Sequence, residues 1–146
     1  MKPIFRTDLA LLILFVLSLF SGIQIHYALH FQSHEVWHNW SIVHTVVNIL
    51  LLGVAIVHIK QHWVWFKTMS SSLSRKSKVT IALSIIFVLV SVTGIVLLTC
   101  ANGGKGCCGY SRIGIIHYWL GIVFGVFVLL HFIGRWKIFK KGVKRR

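Results

Sequence analysis

Acidic residues are nearly missing from this chain. Asp8 and Glu35 are the only two among 146 residues, against sixteen Lys and Arg, which gives a formal charge of +14 and a pI near 10.5. A balance this basic suits nucleic acid only if the cations gather on one folded soluble surface. Here they fall in short blocks between apolar runs, so nucleic acid is not an expected partner. Polar residues are scarce as well: 56% of the chain is hydrophobic and the mean hydropathy is +0.80. That excludes a soluble domain of this size and leaves an integral protein of the lipid membrane. A cleavage signal is also lacking. Lys2 and Arg6 before an apolar run imitate a signal peptide, but the run is too long and no small-x-small site follows it. It reads as a retained helix, with Thr7 or Asp8 placed to cap its start.

Four apolar runs follow one another, at about 9–28, 40–59, 79–99 and 113–134. The fold expected is all-α, a transmembrane four-helix bundle in a single domain. The first connection, 29–39, is polar, has no Lys or Arg and is rich in histidine. His26, His30, His34 and His38 recur every four residues and would make a metal-binding ladder on one continuous helix. The first helix is expected to end within this stretch, which makes them exposed loop histidines. The second connection, 60–78, is basic and carries a serine cluster at 70–74. The third, 100–112, holds four glycines and Cys100, Cys107 and Cys108. Fourteen of the sixteen cations lie at the N-terminus, the central linker and the C-terminus; only Lys105 and Arg112 do not. By the positive-inside rule both termini are expected in the cytoplasm, in a bacterial inner membrane. Trp37, Trp40, Trp63, Trp65 and Trp136 flank the spans and read as an interfacial aromatic belt, and His62 reads as interfacial too.

Chemistry concentrates in the second and fourth runs. His117 and His131 stand fourteen residues apart in HYWLGIVFGVFVLLHFIGRW, and His44 and His58 repeat the spacing 73 residues earlier. Fourteen helical steps fall about 40° short of four turns and climb about 21 Å, so each pair shares a face with one imidazole toward each membrane surface. Ionisable groups at such depth mark functional sites. The register continues past the second histidine, with Trp63, Phe66 and Lys67 matching Trp136, Phe139 and Lys140.

The first and third runs match as well. ALLILFVLSLFSGI (10–23) aligns with ALSIIFVLVSVTGI (82–95) at an offset of 72, with eight of fourteen positions identical. The chain is therefore read as two parallel repeated helix pairs, about 7–67 and 79–140. A parallel repeat sets His44 level with His117 near the outer face and His58 level with His131 near the inner face. Two facing histidines fill both axial positions of a haem iron, so the spacing points to a b-type cytochrome with two bis-histidine haems. Histidines merely hydrogen-bonding between helices would not need equal spacing in two runs. No Cys-x-x-Cys-His occurs, so covalent c-type haem is not indicated.

Gly22 and Gly94 occupy matching places, preceded by Ser21 and Thr93, and are candidates to flank the outer haem. No equally clear counterpart stands beside the inner one, since the matched Ala10 and Ala82 point about 120° away. Gly121 and Gly125 suit either a packing face or a haem wall, and Asn48 stands where the fourth run has Gly121.

The paired histidines resemble those of the respiratory cytochrome b four-helix core. The duplicated helix pair, the SGI/TGI motif and HYWLG…LLHFIGRWKIF look more like the flavinylation-associated cytochrome family, over nearly the whole chain outside the loops and tail. That resemblance implies haem b ligated by His44, His58, His117 and His131. It also implies electron transfer from quinol, or across the membrane, to an extracytoplasmic flavoprotein or other redox protein. Two alternatives stand beside it. One is a quinone-coupled membrane thiol oxidoreductase using the outer cysteines, whose pairing the spacing leaves open; it normally needs cysteines in both outer loops or a Cys-x-x-Cys pair. The other is a non-haem assembly or metal-transport subunit using the loop histidines.

Overall fold

The computed structural model describes residues 3–67, 78–102 and 112–144. Every described element is helical: α1 (Pro3–Phe31), α2 (His34–Gln61), the short α3 (Trp63–Lys67), α4 (Lys78–Asn102) and α5 (Arg112–Lys144). Four of them contain segments long and apolar enough to cross a membrane: Ile4–Phe31, His34–Gln61, Lys78–Cys100 and Arg112–Trp136. The surface agrees with a lipid surrounding. Ile13, Phe20, Val88, Leu129 and Ile133 all point outward, each more than 50% exposed. A water-soluble bundle would turn such residues inward. This is a multi-pass, all-α membrane protein.

Two expectations about helix ends are corrected. Helix α1 begins at Pro3, whose missing N–H costs nothing in a first turn. Thr7 and Asp8 thus lie inside the helix and are not caps; Thr7 accepts a hydrogen bond from Gln61 Nε2 at 3.0 Å, tying α1 to α2. The polar connection expected at 29–39 shrinks to Gln32 and Ser33. His26 and His30 stay on α1, and His34 and His38 are on α2, so none of the four is a loop residue. The reason is length. A helix of 28 or 29 residues spans about 40 Å, more than a hydrocarbon core of about 30 Å, and polar residues are tolerated on the turns that protrude. Ser33 caps the new start, its side chain accepting from Val36 N–H at 3.4 Å, with Glu35 in the first turn where the helix dipole favours an anion.

The cluster at 70–74, Arg75, Lys76, Lys105, Cys107, Cys108, Arg145 and Arg146 lie outside the described residues. Helices α1 and α2 pack as one hairpin and α4 and α5 as another, and α1 also touches α5. Midway along, Phe124 of α5 meets Phe15 of α1 edge-on at 5.9 Å and Phe87 of α4 at 5.8 Å. Phe15 and Phe87 are matched positions of the repeat, and Phe124 lies seven residues from both His117 and His131. Leu51, the matching residue of α2, is buried. Gly125 lies against α1 here: an added Cβ would meet Leu19 at 3.6 Å and Phe15 at 3.8 Å, in ordinary van der Waals contact. That assigns Gly125 to packing, whereas Gly121 faces a cavity.

Candidate functional site

Above the phenylalanine layer, toward the α1–α2 turn, His44 and His117 meet. Their ring centroids are 6.3 Å apart and their planes nearly perpendicular, at 84°. Each ring is held in the same way. Ser21 Oγ lies 2.9 Å from His44 Nδ1, and Thr93 Oγ1 lies 2.9 Å from His117 Nδ1. The hydroxyls are themselves fixed: Ser21 donates to Ser18 O, and Thr93 to Leu89 O and Val90 O. Gly22 and Gly94 lie directly against the rings. A Cβ at either would stand 3.2 Å from Cε1 of His44 or His117, closer than a side chain tolerates without movement. The glycines are therefore seats for the imidazoles.

The ring spacing suits a shared metal. A ring nitrogen holds a first-row metal ion at about 2 Å, which with the half-width of each imidazole puts two trans ring centroids about 6 Å apart. With both Nδ1 atoms engaged, the Nε2 atoms are the ligand atoms left. The rings open on a cavity of about 370 Å³ walled by all four long helices, with Gly22, Gly94, Gly121, Asn48, Phe124 and Trp37 in its lining. Its size is that of small-molecule and cofactor sites, which run from about 300 to 1,000 Å³. Trp37, one of the tryptophans flanking the spans, also lines this cavity, and its Nε1 is buried with no hydrogen-bond partner among the described residues. A mostly apolar cavity, two imidazoles and an orphaned donor at the rim fit a flat macrocycle that carries acceptors at its edge, as haem does. Asn48 donates from Nδ2 to His44 O at 2.7 Å and accepts from Ser18 Oγ at 2.8 Å. It packs the first hairpin where the second has glycine.

Below the phenylalanine layer, toward the start of α1 and the end of α5, the other two histidines repeat half of this pattern. His131 Nδ1 lies 3.3 Å from Thr80 Oγ1. His58 Nδ1 lies 3.0 Å from Asp8 Oδ1 as a close polar contact without hydrogen-bond alignment, and neither atom hydrogen-bonds elsewhere among the described residues. His58 and His131 are not brought ring to ring. His58 instead lies 4.8 Å from His62, centroid to centroid, and His131 is within electrostatic reach of His58, His62, Asp8 and Arg135. Ligand atoms of Asp8, His58 and His62 all fall within 4.8 Å of one another. His62 closes α2, and burial, followed by the nearby His58, pulls its pKa below the ordinary value, so it is a neutral ring at neutral pH.

The partners of the four Nδ1 atoms form a series that the sequence reading passed over. Ser21 and Thr93 match at the offset of 72, and so do Asp8 and Thr80. Each of these four histidines thus faces a polar residue of α1 or α4 in the same register, three of them through a hydrogen bond. The missing counterpart beside the inner pair is this Asp8/Thr80 position, two residues before the matched alanines. A signal was available: two matched polar residues in apolar helices. Counting identities misses it, because Asp and Thr differ.

At the outer end, His26 stacks on Tyr118 at 4.1 Å and meets His30 edge-on at 4.8 Å. Lys140 Nζ stands 5.4 Å over the ring of the exposed Trp136, as suits a belt residue at the basic end. Cys100 is half-buried near the end of α4. Comparison with protein-family models, curated proteins and solved structures finds no match to this chain.

Proposed function

We propose that this protein is a dihaem b-type cytochrome of the bacterial inner membrane, with both termini cytoplasmic. In this reading it moves electrons between the quinone pool and an extracytoplasmic redox partner, flavin-bearing as in the flavinylation-associated cytochromes it resembles. One observation carries the reading. Three of the four evenly spaced histidines engage Nδ1 with a matched hydroxyl of α1 or α4, which leaves Nε2 as their ligand atom, and the fourth, His58, sets Nδ1 3.0 Å from the matched Asp8. Holding the second nitrogen is how proteins fix the tautomer and direction of a metal-binding imidazole.

The residues divide the work. His44 with His117, and His58 with His131, would hold one haem each. A haem held by these residues would supply a one-electron ferric/ferrous couple, which suits electron transfer. Gly22 and Gly94 seat the outer imidazoles, and Ser21 and Thr93 stop them from turning. Phe15, Phe87, Phe124 and Leu51 keep the space between the two levels free of water. Trp37 offers its indole N–H at the rim of the outer cavity.

The test uses sealed membrane vesicles. A quinol analogue should reduce the b-type absorption bands, and an added outer-side flavoprotein should reoxidise them. Bands that respond to dithionite but to no quinol or partner would remove the electron-transfer role.

A second reading has one observation in its favour. Asp8, His58 and His62 converge closely enough to hold a non-haem metal ion, as a metal-transport or assembly subunit would need. Purified protein with no haem and one equivalent of bound metal would decide for it.

A further inference from the structure

The matched register makes one exception visible. Three of the four histidines have a neutral hydroxyl at Nδ1: Ser21, Thr93 and Thr80. The fourth, His58, has the carboxylate of Asp8 at 3.0 Å, one of only two acidic residues in the chain. Asp8 occupies in α1 the place that Thr80 occupies in α4. A carboxylate inside a candidate membrane span is costly, and here a hydroxyl at the matched position meets the same geometric need. Orientation alone does not explain it.

A carboxylate at Nδ1 does what a hydroxyl cannot. Its negative charge, 3.0 Å from the ring, makes Nε2 a stronger donor to a bound metal. Stronger donation and the added negative charge both favour the more positive, oxidised iron, and ligation and hydrogen bonding of this kind are among the protein's controls on haem potential. Resting on the dihaem reading above, we propose that Asp8 is a positioning residue that selectively lowers the reduction potential of the haem held by His58 and His131. The two haems are thereby made inequivalent, and the lowering favours electron passage from the basic end of the bundle toward the outer end.

The test is a potentiometric titration of the haem spectrum in the full-length holoprotein. The component belonging to the inner pair is identified as the one lost in His58→Ala. In Asp8→Asn that component should shift to more positive potential while the other stays in place. Asp8→Thr copies the residue at the matched position and should shift it the same way. Thr80→Asp, which gives His131 a carboxylate too, should shift it to more negative potential. Retention of both haems with no movement of either component would overturn the proposal, as would movement of the component lost in His44→Ala. Loss of the inner haem in both Asp8→Asn and Asp8→Thr would make Asp8 purely structural and overturn it as well. Wild-type protein without haem would instead strike the dihaem reading itself.

Discussion

At Gly22 and Gly94 one added carbon reaches the site, because a Cβ would stand 3.2 Å from the ring of His44 or His117. Substitution by alanine asks the ring to move a few tenths of an ångström, and leucine asks for more than a close-packed helix pair can give. Gly94→Leu should therefore lose the outer haem and keep the inner one, measured as haem per chain with helix content checked by circular dichroism. Full haem content with only a weaker bundle would make the glycine a packing residue. Ser21 and Thr93 make a finer test. Removing one hydroxyl costs about 0.5–1.5 kcal/mol, so Ser21→Ala should retain haem but free the His44 ring, changing the low-spin signal in electron paramagnetic resonance. An unchanged signal would mean that the hydroxyl does not fix the ring. At this scale the sequence revealed the histidines and glycines, because their spacing repeats. It concealed the hydroxyls and Asp8, because a side chain's hydrogen-bond partner depends on how two helices face each other.

Among the elements, the apolar runs located all four long helices but set their ends short. The histidine-rich stretch was read as a loop on polarity, yet backbone hydrogen bonding continues to Phe31 and resumes at His34, with Ser33 as the cap. Polarity indicates where a helix leaves the hydrocarbon, not where it stops. Asn48 stands in the first hairpin where the second has glycine, and it forms its own tie between α1 and α2 through Ser18. Interhelical hydrogen bonds in membranes average about 0.6 kcal/mol and reach about 1.7. Asn48→Ala should thus lower thermal stability modestly and leave both haems bound. The phenylalanine layer carries more. Phe124 touches both Phe15 and Phe87, and truncating a packed phenylalanine costs about 3–5 kcal/mol. Phe124→Ala should lower the unfolding midpoint well beyond Asn48→Ala; equal effects would mean that the layer packs loosely.

For the molecule as a whole, the central claim is that two histidine levels form two separate metal centres in one small membrane bundle. The outer level is built in the structure as a facing pair; at the inner level Thr80 engages His131, Asp8 lies 3.0 Å from His58, and the rings are apart. The repeat explains why both histidine levels were legible from spacing; the difference between Asp8 and Thr80 at matched positions was hidden because the residues are not identical. Pairing across the helices can be read from component loss: His44→Ala and His117→Ala should remove the same redox component, and His58→Ala and His131→Ala the other. A match between His44→Ala and His131→Ala would break the level arrangement. The most direct measurement is haem stoichiometry, by pyridine haemochrome assay on purified, fully loaded protein of known chain concentration. Two haems b per chain, both low-spin, are expected; one haem or none would contradict the dihaem cytochrome.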